Sequence, residues 1–291
     1  MLKPPPERPG AILRDLMKND TVLMPGVFNA ISAVSATSAG AKALYLSGAG
    51  ITNAALGVPD IALASQTEFA QQAAYVTSVT PLPVLSDADT GFGETLNVMR
   101  TVVEMERAGL AGIHVEDQVS PKRCGHLDGK AVVETADMVR KIRAAVDSKR
   151  DPSFIVCART DARGVEGLES AIERAKAYVQ AGADAVFPEG LQSEEEFEAF
   201  RKGVEGALLA NMTEFGKTPL IPFSRFRDMG YQMVIYPMTA FRVMLKAIDE
   251  CYSELVQRGT QEGLMDRMRT RSELYERIDY SAYDVKDKAW E

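Results

Sequence analysis

The sequence is poor in the residue types that mark several classes of protein. Its 291 residues contain three cysteines, too few for a disulfide framework in a chain of this length, and their spacing fits no zinc motif. Basic residues are in the minority, since 33 lysines and arginines face 41 aspartates and glutamates without forming a basic stripe. Nucleic-acid binders usually concentrate Lys and Arg on one face, so no nucleic-acid partner is expected.

Long apolar runs are absent as well. No stretch of ~18 uncharged apolar residues occurs, so no membrane-spanning helix is predicted. The first ten residues, MLKPPPERPG, lack the apolar core of a secretion signal. We therefore expect a soluble, cytoplasmic protein without a membrane partner.

Short apolar, β-branched runs alternate with longer stretches of helical periodicity, the pattern of repeated strand-helix units and a parallel sheet. Eight such runs occur, at 22–25, 43–47, 83–87, 112–117, 154–160, 184–189, 207–212 and 232–237. The helical stretches between them stop at Ala-Gly, as at the end of TLNVMRTVVEMERAGLAG. Eight units favour a TIM-type (β/α)8 barrel, with residues 1–291 forming one domain, although an open doubly wound sheet has similar local patterns.

Two further segments bear on the architecture. No GxGxxG or P-loop follows a predicted strand, and GFG at 91–93 is interpreted as a tight turn after the third one. From Phe241 to about Arg277 the chain is predicted to be helical throughout, which is longer than one closing helix requires. Part of this C-terminal segment is expected to pack on a neighbouring subunit.

Polar and ionisable residues collect at the carboxyl ends of the predicted strands, where active sites of (β/α)8 enzymes lie. One such residue means little because loops are polar, but charges on successive strands indicate a shared site. In strand order they are Ser47; Asp87 and Asp89; His114, Glu116 and Asp117; Arg159 and Asp161; Glu189; Asn211 and Thr213; and, at a distance, Arg242.

The run SDADTGFG carries two of the acidic residues, Asp87 and Asp89. Glu116 is predicted on the adjacent strand and Asp60 in the preceding loop. Carboxylates that share a small pocket repel one another when ionised, so a cation is needed to offset them. Oxygen ligands of this kind suit Mg²⁺ or Mn²⁺. The sequence therefore predicts a metal site that involves these four residues.

The loop segment PKRCGHLDGK is the second chemical feature. Cationic neighbours lower the pKa of a thiol, so Cys124, beside Lys122 and Arg123, is a candidate acid–base or nucleophilic group. Glycines at 125 and 129 would let the loop open and close. The chain has two histidines, and both lie in these clusters; His114 is predicted to act near the metal or in a proton relay.

The motifs KRCGH, SDADTGFG, HVEDQ, ARTDA, FPE, NMTEFGKTPL, YPMTAFR and RSELYERIDY together resemble those of the 2-methylisocitrate lyases, in the isocitrate lyase/phosphoenolpyruvate mutase superfamily. The resemblance extends from about Gly26 to Tyr280. It implies cleavage of (2S,3R)-2-methylisocitrate to pyruvate and succinate, the last step of the methylcitrate route for propionate. It also implies a homotetramer whose terminal helices are exchanged between subunits.

The resemblance assigns roles residue by residue. Asp87 and Asp89 would hold Mg²⁺, with Asp60, His114 and Glu116 arranged around it through water. The substrate, a 2-hydroxy di- or tricarboxylate, would be held by Ser47, Gly48, Ala49, Cys124, Gly125, Arg159, Glu189, Asn211, Thr213, Arg242 and Arg271.

The implied chemistry is a retro-aldol cleavage in which cationic side chains and a metal stabilise the departing succinate. Cys124 would protonate the succinate carbanion as general acid. Tyr45 is the candidate base, with Glu189 and His114 as alternatives.

Two departures from the family pattern loosen the substrate assignment. Leu127-Asp128-Gly129 follows the loop histidine where a basic residue and Pro-Asn are more usual, and the turn at 47–49 reads Ser-Gly-Ala instead of Ser-Gly-Gly. A relative acting on 2,3-dimethylmalate or oxaloacetate is therefore the alternative enzyme. A barrel retained as a scaffold protein is the alternative outside enzymes, and the intact catalytic positions argue against it.

Overall fold

The structure, a computed structural model, describes residues 5–123, 125 and 129–290. Its parallel strands pair in chain order and the last returns to the first, which closes a barrel. The closed barrel confirms the predicted fold, and each predicted run contains one strand. The strands are β1 (Val22–Val27), β2 (Leu44–Leu46), β3 (Val84–Asp87), β4 (Gly112–Glu116), β5 (Ile155–Thr160), β6 (Ala185–Pro188), β7 (Ala207–Asn211) and β8 (Met233–Tyr236).

Helices surround the barrel and continue beyond it. They are α1 (Pro9–Asn19), α2 (Ala30–Ser38), α3 (Gly48–Ile51), α4 (Gln66–Thr77), α5 (Thr95–Arg107), α6 (Thr135–Asp147), α7 (Leu168–Gln180), α8 (Glu194–Gly203), α9 (Phe223–Met229), α10 (Thr239–Arg258), α11 (Arg271–Arg277) and α12 (Tyr280–Lys288). Helix α5 shows why these segments are helical, since Val98, Val102 and Met105 recur at three- and four-residue spacing and are buried. Gly109, with φ +81°, follows its end, as the Ala-Gly stop predicts.

Apolar side chains fill the inside of the barrel, so it is a packed core and not a channel. Met24, Leu85, Phe187 and Met233 belong to this inner cluster, and Leu13 of α1 packs against its amino-terminal end. Cys157 lies in the same cluster and is fully buried, and burial raises the pKa of its thiol. This cysteine is therefore a small apolar core residue, while Cys251 on α10 is half-buried. The polar carboxyl end is left for the site.

The C-terminal segment departs from the prediction of an uninterrupted helix from Phe241 to about Arg277. Helix α10 ends at Arg258 because Gly259 adopts a left-handed conformation (φ +67°). A 3₁₀ turn, Glu262–Arg267, and an extended Thr270 separate α10 from α11. Phe241 alone is buried among the α10 residues, so this helix leaves the barrel after its first turn. None of the helices that the structure describes is long and apolar enough to cross a bilayer.

Candidate active site

A cleft of about 300 Å³ opens at the carboxyl end of the barrel, where the sequence predicted the site. Most of the predicted residues meet there. Those that line it are Tyr45, Ser47, Ala49, Asp60, Asp87, Gly125, Arg159, Glu189, Asn211, Thr213 and Arg242. Its remaining wall is largely apolar and includes Pro59, Ile61, Phe187, Ile235 and Met238.

Other predicted residues are placed behind the cleft or away from it. Asp89, His114 and Glu116 are buried and do not line the cleft surface. Arg271 is exposed at the first turn of α11 and is not among the residues that line the cleft of its own chain. The structure therefore does not bring Arg271 to the other predicted substrate ligands, and its role remains a prediction from the resemblance alone.

The turn after β2 brings backbone close to β3. Ser47 caps the short helix α3 by accepting a hydrogen bond from the Gly50 amide, at 3.1 Å. A Cβ at position 48 would lie 2.5 Å from the Asp87 Oδ2 atom, so only glycine fits there without a shift. The Ser-Gly-Ala turn therefore lies directly against the first predicted metal ligand.

The turn after β3 directs two carboxylates to the same region. Asp89 adopts the left-handed conformation (φ +47°), which aspartate tolerates better than most residues, and its amide donates to Asp87 Oδ1 at 2.9 Å. The Lys122 ammonium lies between the acidic residues, 2.6 Å from Asp60 Oδ1 and 2.9 Å from Asp89 Oδ1. The sequence placed Lys122 as a neighbour of the thiol, whereas the structure uses it as the counter-charge of the acid cluster.

Burial and charge set the protonation of this cluster. Burial raises the pKa of Asp89 to about 7, with Asp87 and Asp60 adding to the rise and Lys122 opposing it. Burial also raises the pKa of Asp87, but interaction with His114 when it is protonated, together with the positive charges of Lys122 and Arg159, outweighs burial, so that pKa lies below its ordinary value. Burial holds the pKa of Glu116 well above its usual range. The cluster is thus short of positive charge for all its carboxylates to be ionised.

The donor set of the acid cluster fits a hard divalent cation. Both carboxylate oxygens of Glu116 are buried and accept no hydrogen bond from the described residues, although Oε2 lies 3.3 Å from Arg159 Nη1. A buried carboxylate oxygen without a donor is costly unless a cation or water satisfies it. Within the described ranges, no three His, Cys, Asp or Glu side chains converge closely enough to enclose an ion by themselves. Such a cation would therefore complete its coordination with water or substrate oxygens.

Tyr45 and His114 form a buried pair. The Tyr45 hydroxyl is 2.8 Å from His114 Nε2, and the two rings stack with centroids 5.8 Å apart. Burial lowers the pKa of His114 to about 4, so the imidazole is neutral near pH 7 and one ring nitrogen can accept a proton. Burial, with Asp87 adding to it, holds the pKa of Tyr45 well above its ordinary value. The resting pair is therefore neutral, with the proton on the Tyr45 hydroxyl and a hydrogen bond between that hydroxyl and His114 Nε2.

Arg159 is a buried positive group in the lining of the cleft. Its Nε and Nη2 atoms donate to Asp161 at 2.9 and 3.2 Å, and its guanidinium also lies 3.3 Å from Glu116 and 3.5 Å from Glu189. The carboxylates hold the pKa of Arg159 above its ordinary value despite burial. A planar group fixed by its neighbours in this way can present donors to a carboxylate in one orientation.

Glu189, Asn211 and Arg242 complete the polar wall. Glu189 accepts hydrogen bonds from the Gly190 amide at 2.8 Å and from Asn211 Nδ2 at 3.1 Å. The Asn211 Oδ1 atom is buried and has no donor among the described residues, so it is available to a ligand hydroxyl. Arg242 donates to the carbonyl of Glu214 at 2.5 Å and to its carboxylate at 2.8 Å, and it stays partly exposed at the rim.

Cys124 and His126 lie outside the described residues. Gly125, the next residue after the cysteine, is buried against the cleft, where an added Cβ would be 2.4 Å from Glu189 Cγ and 2.5 Å from Arg159 Nη2. The backbone next to Cys124 is therefore in contact with two predicted substrate ligands. The predicted general-acid role of Cys124 remains a prediction.

Sequence reasoning assigned no supporting role to several buried polar residues that hold these groups in place. Asp117 accepts from Thr160, the Asp161 amide and Tyr178, which fixes the end of β4 to the end of β5. Gln118 and Lys130 bind backbone atoms of the cysteine loop. The sequence placed Asp117 at a strand end, as the last residue of HVED, but no periodicity marks a polar residue that supports another one.

Comparison with known proteins gives the same picture over the whole chain. Residues 13–256 match the phosphoenolpyruvate phosphomutase family. The chain is 52% identical over 288 residues to the 2-methylisocitrate lyase of Aeropyrum pernix, covering 99% of this chain and 92% of that protein. It is 46% identical over 280 residues to the 2-methylisocitrate lyase of Escherichia coli, covering 96% and 95%. Relatives this similar show that the chain is a lyase.

Solved structures extend the comparison. An oxaloacetate acetylhydrolase in complex with the inhibitor 3,3-difluorooxalacetate has a TM-score of 0.90 and 36% identity, covering 97% of each chain. A 2,3-dimethylmalate lyase has a TM-score of 0.90 and 35% identity, covering 96% of this chain and 94% of that one. A phosphonopyruvate hydrolase in complex with oxalate and Mg²⁺ has a TM-score of 0.87 and 25% identity, covering 97% and 99%. The chain belongs to the phosphoenolpyruvate mutase/isocitrate lyase family.

Proposed function

We propose that the protein cleaves 2-methylisocitrate to pyruvate and succinate in a Mg²⁺-dependent reaction. The observation that carries this proposal is the cleft itself, which is lined by the guanidinium of Arg159 and by the carboxylates of Asp60 and Asp87. The cationic donors suit the carboxylates of a tricarboxylate, and the acidic residues suit a metal that binds its hydroxyl. The identity to 2-methylisocitrate lyases over nearly the whole chain supports the choice of substrate.

In the proposed mechanism, Tyr45 and His114 remove the proton of the substrate hydroxyl, and Arg159, Arg242 and Cys124 act on the succinate fragment. Tyr45 takes the proton of the substrate hydroxyl while its own proton passes to His114 Nε2, 2.8 Å away. The carbon–carbon bond then breaks, its electron pair moves onto the succinate fragment, and the former hydroxyl becomes the carbonyl of pyruvate. Arg159 and Arg242 stabilise the charge on succinate, and the Cys124 thiol delivers a proton to its carbon. Glu189 is a poorer base, because it already accepts from Gly190 and Asn211.

The acid cluster would hold Mg²⁺ through Asp87 and Asp89, with Asp60 and Glu116 arranged around it through water. When bound, the ion would polarise the substrate hydroxyl and lower its pKa. The unsatisfied oxygens of Glu116 support this assignment, as does the Mg²⁺ in the related phosphonopyruvate hydrolase complex.

The test is turnover of the purified protein with Mg²⁺ on 2-methylisocitrate, isocitrate, 2,3-dimethylmalate and oxaloacetate, followed as release of 2-oxoacid or oxalate. We expect 2-methylisocitrate to have the highest kcat/KM, by about 10- to 200-fold over isocitrate, the range that one methyl group supplies in an apolar pocket. Chelation should abolish turnover and added Mg²⁺ should restore it. Preference for dimethylmalate or oxaloacetate would overturn the substrate, and activity unaffected by chelator would overturn the metal.

We also infer a homotetramer in which terminal helices are exchanged. Because α10 leaves the barrel, an apolar depression of about 820 Å³ remains beside β1, lined by Val22, Pro25, Phe28 and Ile31 among others. The outer face of α10 is itself apolar and exposed, with Val243 and Val256 at 68% and 85%. An exposed apolar helix and an uncovered apolar depression complement each other when a second copy supplies the helix.

Light scattering should give a mass four times that of the 31.7 kDa chain. The variant Val243→Asp/Val256→Asp should dissociate to smaller species, because two charges would be buried in the interface. Leu96→Asp, at a residue 77% exposed on α5, is the control and should keep the tetramer. A wild-type protein that is monomeric at micromolar concentration would refute the exchange.

A further inference from the structure

The loop that carries Cys124 has a hydrogen-bonded stem. The Val133 amide donates to the Asp117 carbonyl and the Val119 amide to the Ala131 carbonyl, both at 2.8 Å. Gln118 and Val132 form an antiparallel bridge between these two contacts. The two ends of the loop are thus held together beside β4. Stem contacts alone do not fix the position of Cys124, which lies several residues beyond them.

Gln118 reaches from the stem to the peptide groups just before Cys124. Its side-chain carbonyl accepts from the Arg123 amide at 2.9 Å, and its side-chain amide donates to the Arg123 carbonyl at 2.8 Å. Gln118 is 2% exposed. A pair of hydrogen bonds to one residue fixes both the position and the orientation of its backbone.

Lys130 makes the matching contact just after Cys124. Its ammonium donates to the Gly125 carbonyl and lies 2.8 Å from Asp161 Oδ1, and its side chain is 4% exposed. Asp161 is itself fixed, since its amide donates to Asp117 at 2.9 Å and its carboxylate accepts from Arg159 at 2.9 Å. Lys130 therefore joins the loop to the rigid end of β5.

We propose that Gln118 and Lys130 are positioning residues that clamp the backbones of Arg123 and Gly125, the two neighbours of Cys124, and thereby set where its thiol meets the substrate. The proposal rests on the proposed function, in which Cys124 is the general acid. Proton transfer requires hydrogen-bond reach, so a loop free to shift by an ångström would slow this step far more than binding. Apolar residues of similar volume would pack at these sites without the desolvation cost, which argues for a role beyond packing.

The clamp can be measured without any lyase activity. Arg123 is exposed, and trypsin cleaves after arginine. Cleavage requires that the backbone around Arg123 come free to enter the active site of the protease. In Gln118→Leu and in Lys130→Met we expect the initial rate of cleavage at Arg123, followed by mass spectrometry, to rise about five- to tenfold, as loss of one or two net hydrogen bonds implies.

Matched controls exist at the other end of the barrel. Gln232 also binds backbone, accepting from the Leu208 amide and donating to the Gly230 carbonyl, and Lys149 also pairs with an aspartate, Asp184, at 3.1 Å. Gln232→Leu and Lys149→Met should leave cleavage at Arg123 at the wild-type rate. A rise in all four variants would mean general loosening and would overturn the clamp, and so would wild-type rates in Gln118→Leu and Lys130→Met.

Steady-state kinetics, the second measurement, distinguish an effect on the position of Cys124 from an effect on substrate binding. With 2-methylisocitrate we expect Gln118→Leu and Lys130→Met to lower kcat by about 10²-fold, the cost of a misplacement of about 1 Å, with KM within about twofold of wild type. Gln118→Glu, which can still accept from the Arg123 amide, should recover part of the loss and also serves if Gln118→Leu does not fold. Faster cleavage with unchanged kcat would refute the positioning role. A wild-type protein inactive on the whole substrate panel would instead refute the proposed function, while the cleavage rates would still test the clamp.

Discussion

Replacing Cys124 by serine is expected to lower kcat by about 10³-fold, within the range that general acid catalysis supplies. A serine hydroxyl is a far weaker acid than a thiol, whose ordinary pKa is about 8.5, so the succinate carbanion would wait for a proton from water. Binding should survive, because the substitution leaves Arg159 and Arg242, the proposed ligands of the substrate carboxylates, in the lining of the cleft. Steady-state kinetics and calorimetric titration with succinate check the two halves of the prediction.

Cys251→Ser is the control for this experiment, because Cys251 lies on α10, is half-buried and is not among the residues that line the cleft. It should retain wild-type kcat. Turnover of Cys124→Ser close to that of the wild type would refute the general-acid role. Loss of succinate binding together with turnover would instead indicate that the thiol belongs to the binding site.

Replacing Arg159 by methionine is expected to damage both stability and catalysis. Arg159 is 7% exposed, and its guanidinium lies within 3.5 Å of Asp161, Glu116 and Glu189, so its removal leaves buried carboxylates without their partner. Breaking a buried ion pair from one side typically costs about 3–5 kcal/mol of unfolding free energy. Loss of one donor to developing negative charge should also lower kcat by about 10²- to 10³-fold. Denaturant unfolding and kinetics measure the two effects.

Arg163→Met is the matched control, because Arg163 lies four residues after Arg159 in the sequence and does not line the cleft. Its guanidinium pairs with Glu196 at 2.5 Å, but both side chains are about one-fifth exposed. Because solvent reaches both side chains of this pair, its loss should lower stability less than loss of Arg159 does, and turnover should be retained. Arg159→Lys should recover part of the stability but little of the turnover, because an ammonium lacks the planar fork. Equal losses in Arg159→Met and Arg163→Met would contradict a special role for Arg159.

The strands were predictable because each is a short apolar run between longer amphipathic stretches. All eight predicted runs contain a strand, and β1 extends two residues further than its run, to Val27. The C-terminal helices were less predictable. Gly259 and the extended Thr270 interrupt a segment whose composition is helical throughout, and a helix end depends on backbone conformation at one or two residues.

The site was predictable as a set of residues but not as a network. Asp87, Arg159, Glu189 and Asn211 line one cleft because the carboxyl ends of parallel strands share one end of the barrel. From its neighbours in the sequence, Lys122 was assigned to the Cys124 thiol. Its ammonium instead lies against Asp60, 62 residues away in the chain. A long side chain on a loop can reach several partners, and sequence spacing does not choose between them.

The sequence by itself therefore determined the barrel, the end of it that carries the chemistry and the residue types of that chemistry, since periodicity and strand ends are local properties. Only the tertiary structure decided which charges face one another. The Lys122 ammonium among the acids, the Tyr45–His114 pair and the clamp of Gln118 and Lys130 each join residues from different segments or across a loop. Such contacts depend on burial and on distances of a few ångströms, which arise only when the chain closes on itself.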